Sequence, residues 1–109
     1  MRQSLLRLEP TPCKMYLLKK TPLSIGRGLD CDLVLDDESA SREHARIEIT
    51  MDAVSWVVDT KSLNGVLVNE RRIQGAQQLR HLDVITVGRT RFRFFEAEAY
   101  QDSDLGFSN

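Results

Sequence analysis

The hydrophobic positions of this chain recur at every second residue. Leu6-Arg7-Leu8, Leu23-Ser24-Ile25, Ala45-Arg46-Ile47-Glu48-Ile49 and Arg91-Phe92-Arg93-Phe94 alternate apolar with polar side chains. That period belongs to strands with one buried face. Trp56-Val57-Val58, Val66-Leu67-Val68 and Val84-Ile85-Thr86-Val87 are short β-branched or apolar runs, as expected of core strands, and Trp56 is assigned to the core. Turn signals separate them at Glu9-Pro10-Thr11-Pro12, Thr21-Pro22, residues 26–32, residues 36–41, Met51-Asp52, residues 61–65, Gln74-Gly75 and Gly88-Arg89. Roughly ten short strands result, with the spacing of an all-β sandwich. No window longer than a turn holds a capped helical stripe, and the best helix candidate is the Ala- and Glu-rich run 95–101. The polar residues that follow read as a tail. The predicted organisation is one domain over 1–97 and a tail or the start of a linker over 98–109, with the whole read as the N-terminal part of a longer protein.

Composition narrows the function. A chain of 109 residues is expected to form one domain with its own core. Fifteen Lys+Arg stand against 16 Asp+Glu, for a net charge of −1. That balance argues against a bulk electrostatic grip on nucleic acid or on an anionic membrane, so any anion site has to be local. Cys13 and Cys31 are too few for a disulfide scaffold, have no metal-ligand spacing and are expected as free thiols. With no signal peptide and no apolar run of about 18 residues, a soluble intracellular protein is expected.

A catalytic set is hard to assemble. His44 and His81 are the only histidines, and neither stands in a metal-binding spacing. Ser41, His44 and Asp59 or Asp83 supply the residue types of a triad, but there is no Gly-x-Ser-x-Gly elbow. Gly26-Arg27-Gly28 is too short for a dinucleotide fingerprint. The polar residues fall instead into three inter-strand loops: Gly26-Arg27, the run from Asp36 to His44, and the run from Thr60 to Gly65. Loops converge at the ends of a sandwich. These three would bring Arg27, Ser41, Arg42, Lys61, Ser62 and Asn64 together. Fixed positive charge, hydroxyls and an amide suit a phosphate, and with no nucleophile–base pair the site would bind without reacting. Lys61 reads as a solvated loop charge whose field helps. Asn64-Gly65 reads also as a type I′ turn pair. The acidic run Asp36-Asp37-Glu38 reads as a solvated face that would also repel acidic peptide residues and tolerate basic ones.

Ile25-Gly26-Arg27-Gly28, Ser41-Arg42-Glu43-His44 and the segment from Asp59 to Asn69 resemble, in order and spacing, the signature of the forkhead-associated (FHA) domain. The resemblance spans about residues 5–97. It implies a β-sandwich of about eleven strands that recognises phosphothreonine peptides through loops at one end. It implies that Arg27, Ser41 and Arg42 contact the phosphate, that Ser62 and Leu63 lie in the recognition loop, and that Asn64 holds the peptide backbone. Gly26, His44 and Gly65 resemble the architectural positions, with His44 bracing the loops from behind. Leu63 stands where Thr is frequent, and Ser62-Leu63-Asn64-Gly65 is similar to members among chromatin mediators and RING-type ligases. Leu82 stands where a Gly is usual.

The implied function is a non-enzymatic phosphothreonine-binding signalling module, with no cofactor and with phosphorylated protein segments as partners. Its implied setting is nuclear, otherwise cytoplasmic, in a DNA-damage or chromatin scaffold. Direct nucleic-acid and membrane binding are not implied. The alternatives are a dimerisation module with a secondary phosphosite, including capture of phosphorylated Thr11 by a second copy, and the regulatory domain of a kinase or ubiquitin ligase.

Overall fold

The computed structural model describes residues 3–96. The first strands are β1 (Gln3–Glu9), β2 (Lys14–Leu17), β3 (Leu23–Gly26), β4 (Leu33–Val34), β5 (Ala45–Ile49) and β6 (Ser55–Asp59). They are followed by β7 (Val66–Val68), β8 (Arg71–Arg72), β9 (Ala76–Gln78), β10 (Val84–Val87) and β11 (Thr90–Glu96). One sheet has the order β2-β1-β11-β10-β7-β8, the other β4-β3-β5-β6-β9. Pairing is antiparallel except between β3 and β4. The expected all-β sandwich is therefore present.

The core lies between the sheets. Leu23 and Ile25 of β3, Ala45 and Ile47 of β5 and Val57 of β6 face Leu5 of β1, Val66 and Val68 of β7, Ile85 and Val87 of β10, and Phe92 and Phe94 of β11. Phe92 and Phe94 are fully buried and pair in register with Ile85 and Leu5. Alternation carries this packing, because each inward residue is flanked by outward ones.

Three expectations change. On β1 the fully buried residue is Leu5, not Leu6 or Leu8, because Leu5 lies opposite Phe94 and an irregularity between Arg7 and Glu9 breaks the alternation. Trp56 is only partly buried: Ser55 and Val57 take the inward positions, which places Trp56 on the outer face beside Glu48 and Gln78. Phe95 and Glu96 belong to β11 rather than to a helix, because Phe95 pairs with Ser4 of β1. The rest of that helix candidate, and the 98–109 tail, lie outside the described residues.

Candidate functional site

The loops after β3, β4 and β6 are tied to one another by hydrogen bonds. Gly26 ends β3 and is buried, and its carbonyl accepts from Leu35 N–H at 2.7 Å. A Cβ at Gly26 would stand 2.1 Å from the Arg42 carbonyl oxygen, so only glycine lets the 35–44 loop pass this close. The next two amides hold that loop: Arg27 N–H donates to Ser41 O at 2.9 Å, and Gly28 N–H to Arg42 O at 3.0 Å. The Arg27 side chain donates through Nε to Ala40 O at 3.0 Å. Its two terminal guanidinium nitrogens have no partner among the described residues.

His44 closes the arrangement from below. It is fully buried. Its Nδ1 accepts from Ser41 N–H at 2.9 Å, so the ring proton sits on Nε2, which donates to Gly65 O at 2.7 Å. One imidazole thus joins the second loop to the third. Its backbone N–H reaches Ile25 O, and its carbonyl accepts from Thr60 N–H. The Ser41 hydroxyl is not the group that meets the ring, so the pairing a hydrolase triad needs is not formed.

In the third loop, Ser62 N–H donates to Asp59 Oδ1 at 2.9 Å and Ser62 Oγ accepts from Gly65 N–H at 2.9 Å. Ser62 therefore shapes the loop from inside. Leu63 N–H donates to Ser41 Oγ at 3.0 Å, while the Leu63 side chain is 82% exposed. Asn64 Nδ2 donates to Ser39 O at 2.8 Å, leaving its Oδ1 unpaired among the described residues. Gly65 has φ 84°, a conformation that favours glycine. Asn64 is not left-handed, so Asn64-Gly65 is not a type I′ turn. That turn occurs at Asn69 and Glu70, with φ 52° and 70°, between β7 and β8.

Arg27, Ser41, Leu63 and Asn64 are thus brought together, with Arg42 exposed beside them and Ser62, His44, Gly26 and Gly65 supporting. Lys61 is exposed in the same loop at φ 66°. Cys31 is buried, and its Sγ donates to Arg42 O at 3.1 Å. Burial pushes its thiol pKa up, which keeps it protonated and unreactive.

Sequence reasoning missed Asp37. The acidic run divides: Asp36 and Glu38 are exposed, but Asp37 turns inward. Its Oδ1 accepts from Ser39 N–H and Oγ–H, and its Oδ2 from Arg89 N–H and Thr90 Oγ–H, the last two at 2.8 Å. Burial works to raise its pKa; the bonds from Ser39, Thr90 and Arg89 outweigh this and hold it at about 2. Gly88 lies against this carboxylate, where a Cβ would sit 2.7 Å from Oδ2. Asp37 thereby staples the loop carrying Ser41 to the β10–β11 turn. The available signal was an Asp with Ser two residues on, the pattern of an Asx-turn.

The geometry offers an oxyanion a pinned guanidinium, a hydroxyl with an unused proton, a second arginine and an amide, on a rigid frame. Residues 23–88 match the family model described as FHA domain. The chain is 34% identical over 94 residues to the glycogen accumulation regulator GarA of Mycolicibacterium smegmatis, covering 86% of this chain and 58% of that protein. It is 36% identical over 90 residues to the oxoglutarate dehydrogenase inhibitor of Corynebacterium glutamicum, covering 83% and 62%. It spans less than two thirds of either relative. Among solved structures, Mycobacterium tuberculosis EmbR in complex with a low-affinity phosphopeptide superposes with a TM-score of 0.79 at 32% identity, over 86% of this chain and 24% of that one. These relatives are bacterial, and bacterial cells have no nucleus, which overturns the nuclear placement; neither curated relative carries a name from DNA-damage or chromatin signalling. By the family match, the order of its three loops and the sandwich of eleven strands that its described residues form, the chain belongs to the FHA domain family.

Proposed function

We propose that this chain is the phosphothreonine-reading module of a bacterial regulatory protein and that it acts by binding rather than by catalysis. The observation that carries this reading is the pinning of Arg27. Its Nε is held by Ala40 O, which leaves the fork of its terminal nitrogens for a ligand beside the Ser41 hydroxyl. Ser41 and Arg42 add donors to the phosphate, and Asn64 Oδ1 takes a peptide N–H. Charge-assisted bonds of about 1.5–3 kcal/mol each, less the cost of association, give micromolar affinity, about −8 kcal/mol. The names of the relatives, a regulator and an inhibitor, fit a binding role.

Calorimetric titration with a phosphothreonine peptide and its unphosphorylated twin tests the proposal. Wild type is expected to bind only the phosphorylated peptide, and Arg27→Ala to bind neither while unfolding cooperatively. Equal affinity for the two peptides, or full binding by the folded Arg27→Ala variant, would reject it.

A further inference from the structure

A second polar groove opens where the edges of the two sheets meet. It has a volume of about 660 Å³, and Asn69, Arg71, Arg72, Gln77, Arg80 and Asp83 are among its lining residues. Every residue of the edge strands β8 and β9 is exposed. The β7–β8 turn carries Arg71 at its end, and Asp83 fixes the wall. Asp83 Oδ1 accepts from Asn69 Nδ2 at 2.9 Å and Oδ2 from Arg80 N–H at 2.8 Å. Asp83, the one carboxylate among the described residues that line the groove, is thus engaged by neutral donors. Among the described residues, none of the three guanidiniums makes an ion pair. Three unpaired arginines around one cavity stand out in a chain whose net charge is −1.

The groove also adjoins the loop of the first site. A Cβ on Gly65 would lie 2.5 Å from Arg72 Nε, so the Arg72 side chain lies directly on the residue after Asn64. The first site and this cluster therefore adjoin through Gly65 and Arg72. Guanidinium forks match carboxylate and phosphate oxygens, and unpaired ones in a cleft focus potential on anions.

We propose that Arg71, Arg72 and Arg80 form a second anion site, which takes an acidic or further phosphorylated residue of the same partner segment. This rests on the phosphothreonine reading for the partner, but not for the anion chemistry. The short basic patch, in a chain with no excess of positive charge, favours a peptide over nucleic acid.

The test compares wild type with Arg71→Ala/Arg80→Ala. Arg72 is kept because it packs on the first site. The peptides are a phosphothreonine peptide with neutral flanks, versions with glutamates on either side, and versions with a phosphoserine in their place. One acidic version is expected to bind wild type about tenfold more tightly than the neutral peptide at ~0.1 M salt. The double variant is expected to lose that gain and to bind the neutral peptide unchanged. The glutamate and phosphoserine versions tell carboxylate from phosphate. An equal gain in both proteins, or no gain on either side, would overturn the second site.

If the neutral phosphopeptide fails to bind wild type, it is the phosphothreonine reading that falls. The second site is then judged by amide NMR shifts on adding oligoglutamate. Shifts in residues 69–72 and 77–80 that vanish in the double variant support it. Absence of these shifts, or tighter Arg71- and Arg80-dependent binding of a short DNA duplex, rejects it.

Discussion

Ser41 accepts, at its side-chain oxygen, the backbone N–H of Leu63 at 3.0 Å. This single bond sets the chemistry of both residues. The hydroxyl is oriented by the bond it accepts, and its own proton is left to donate. Leu63 contributes its amide, while its side chain projects outward. The threonine frequent at this position would add a hydroxyl, yet its loss leaves the Ser41–Leu63 link untouched.

Ser41→Ala is therefore expected to weaken phosphopeptide binding by about tenfold, the worth of roughly one charge-assisted bond at the lower end of its range. Leu63→Ala keeps the amide and is expected to change affinity less than about threefold. Calorimetry on the two variants distinguishes them, and equal losses would show that the Leu63 side chain, rather than its backbone, matters.

Two glycines separate steric from conformational need. Gly26 does not have positive φ, but its missing Cβ makes room for the Arg42 carbonyl. Gly75 has φ 79° and open space around it. Gly26→Ala is expected to cost more than about 3 kcal/mol, because the obstacle is backbone that has to move. Gly75→Ala is expected to cost about 1–2 kcal/mol from the left-handed conformation alone. Urea unfolding of both variants measures the gap, and a cheap Gly26→Ala would mean that the loop is able to retreat.

Much of this site could be read from residue order, because Gly26-Arg27, Ser41 to His44 and Asn64-Gly65 are local signals whose spacing survives folding. The long strands were legible for the same reason, since alternation is a local pattern. Strands β8 and β9 were not, because Arg71–Arg72 and Ala76–Gln78 are exposed edges with no apolar period. Trp56 misled because bulk and hydrophobicity say nothing of parity, which Ser55 and Val57 decide. Asp37 was hidden inside a charge run, and its partners Arg89 and Thr90 lie more than fifty residues away. Leu82 keeps the left-handed turn, φ 79°, that its side chain disfavours, and its N–H still reaches Phe94 O.

Glu70 is a place where the sequence opposes the turn it occupies. It is exposed and left-handed in a type I′ position that glycine fills best. Glu70→Gly relieves about 1–2 kcal/mol of backbone strain and adds about 0.5–1 kcal/mol of chain entropy cost. The expected net gain is about 0.5–1 kcal/mol, or about 3–6 °C in melting temperature. A lowered melting temperature would indicate that Glu70 makes a stabilising contact beyond its own backbone.

The Asp37 staple predicts a specific acid sensitivity. Its folded pKa of about 2 lies below the ordinary 3.8, so the unfolded chain takes up a proton first as pH falls. The stabilisation is complete above about pH 4 and declines as pH drops through about 2. Asp37→Asn removes the charge and leaves only one of the two side-chain oxygens to serve Ser39, Arg89 and the buried Thr90 hydroxyl. At neutral pH this is expected to cost about 1–3 kcal/mol, the penalty for leaving such groups unpaired. Because Asp37 anchors the loop that bears Ser41, the variant is also expected to bind phosphopeptide several-fold more weakly. The neighbouring Asp36→Asn change, on an exposed side chain, is expected to stay within about 0.5 kcal/mol. Urea unfolding of wild type and Asp37→Asn, from neutral pH down to about pH 2, reads the staple directly. The stability difference is expected to hold constant to about pH 4 and then to shrink, since only the wild type loses a charge there. Parallel curves down to the lowest pH would show that the carboxylate charge does not hold the two loops together.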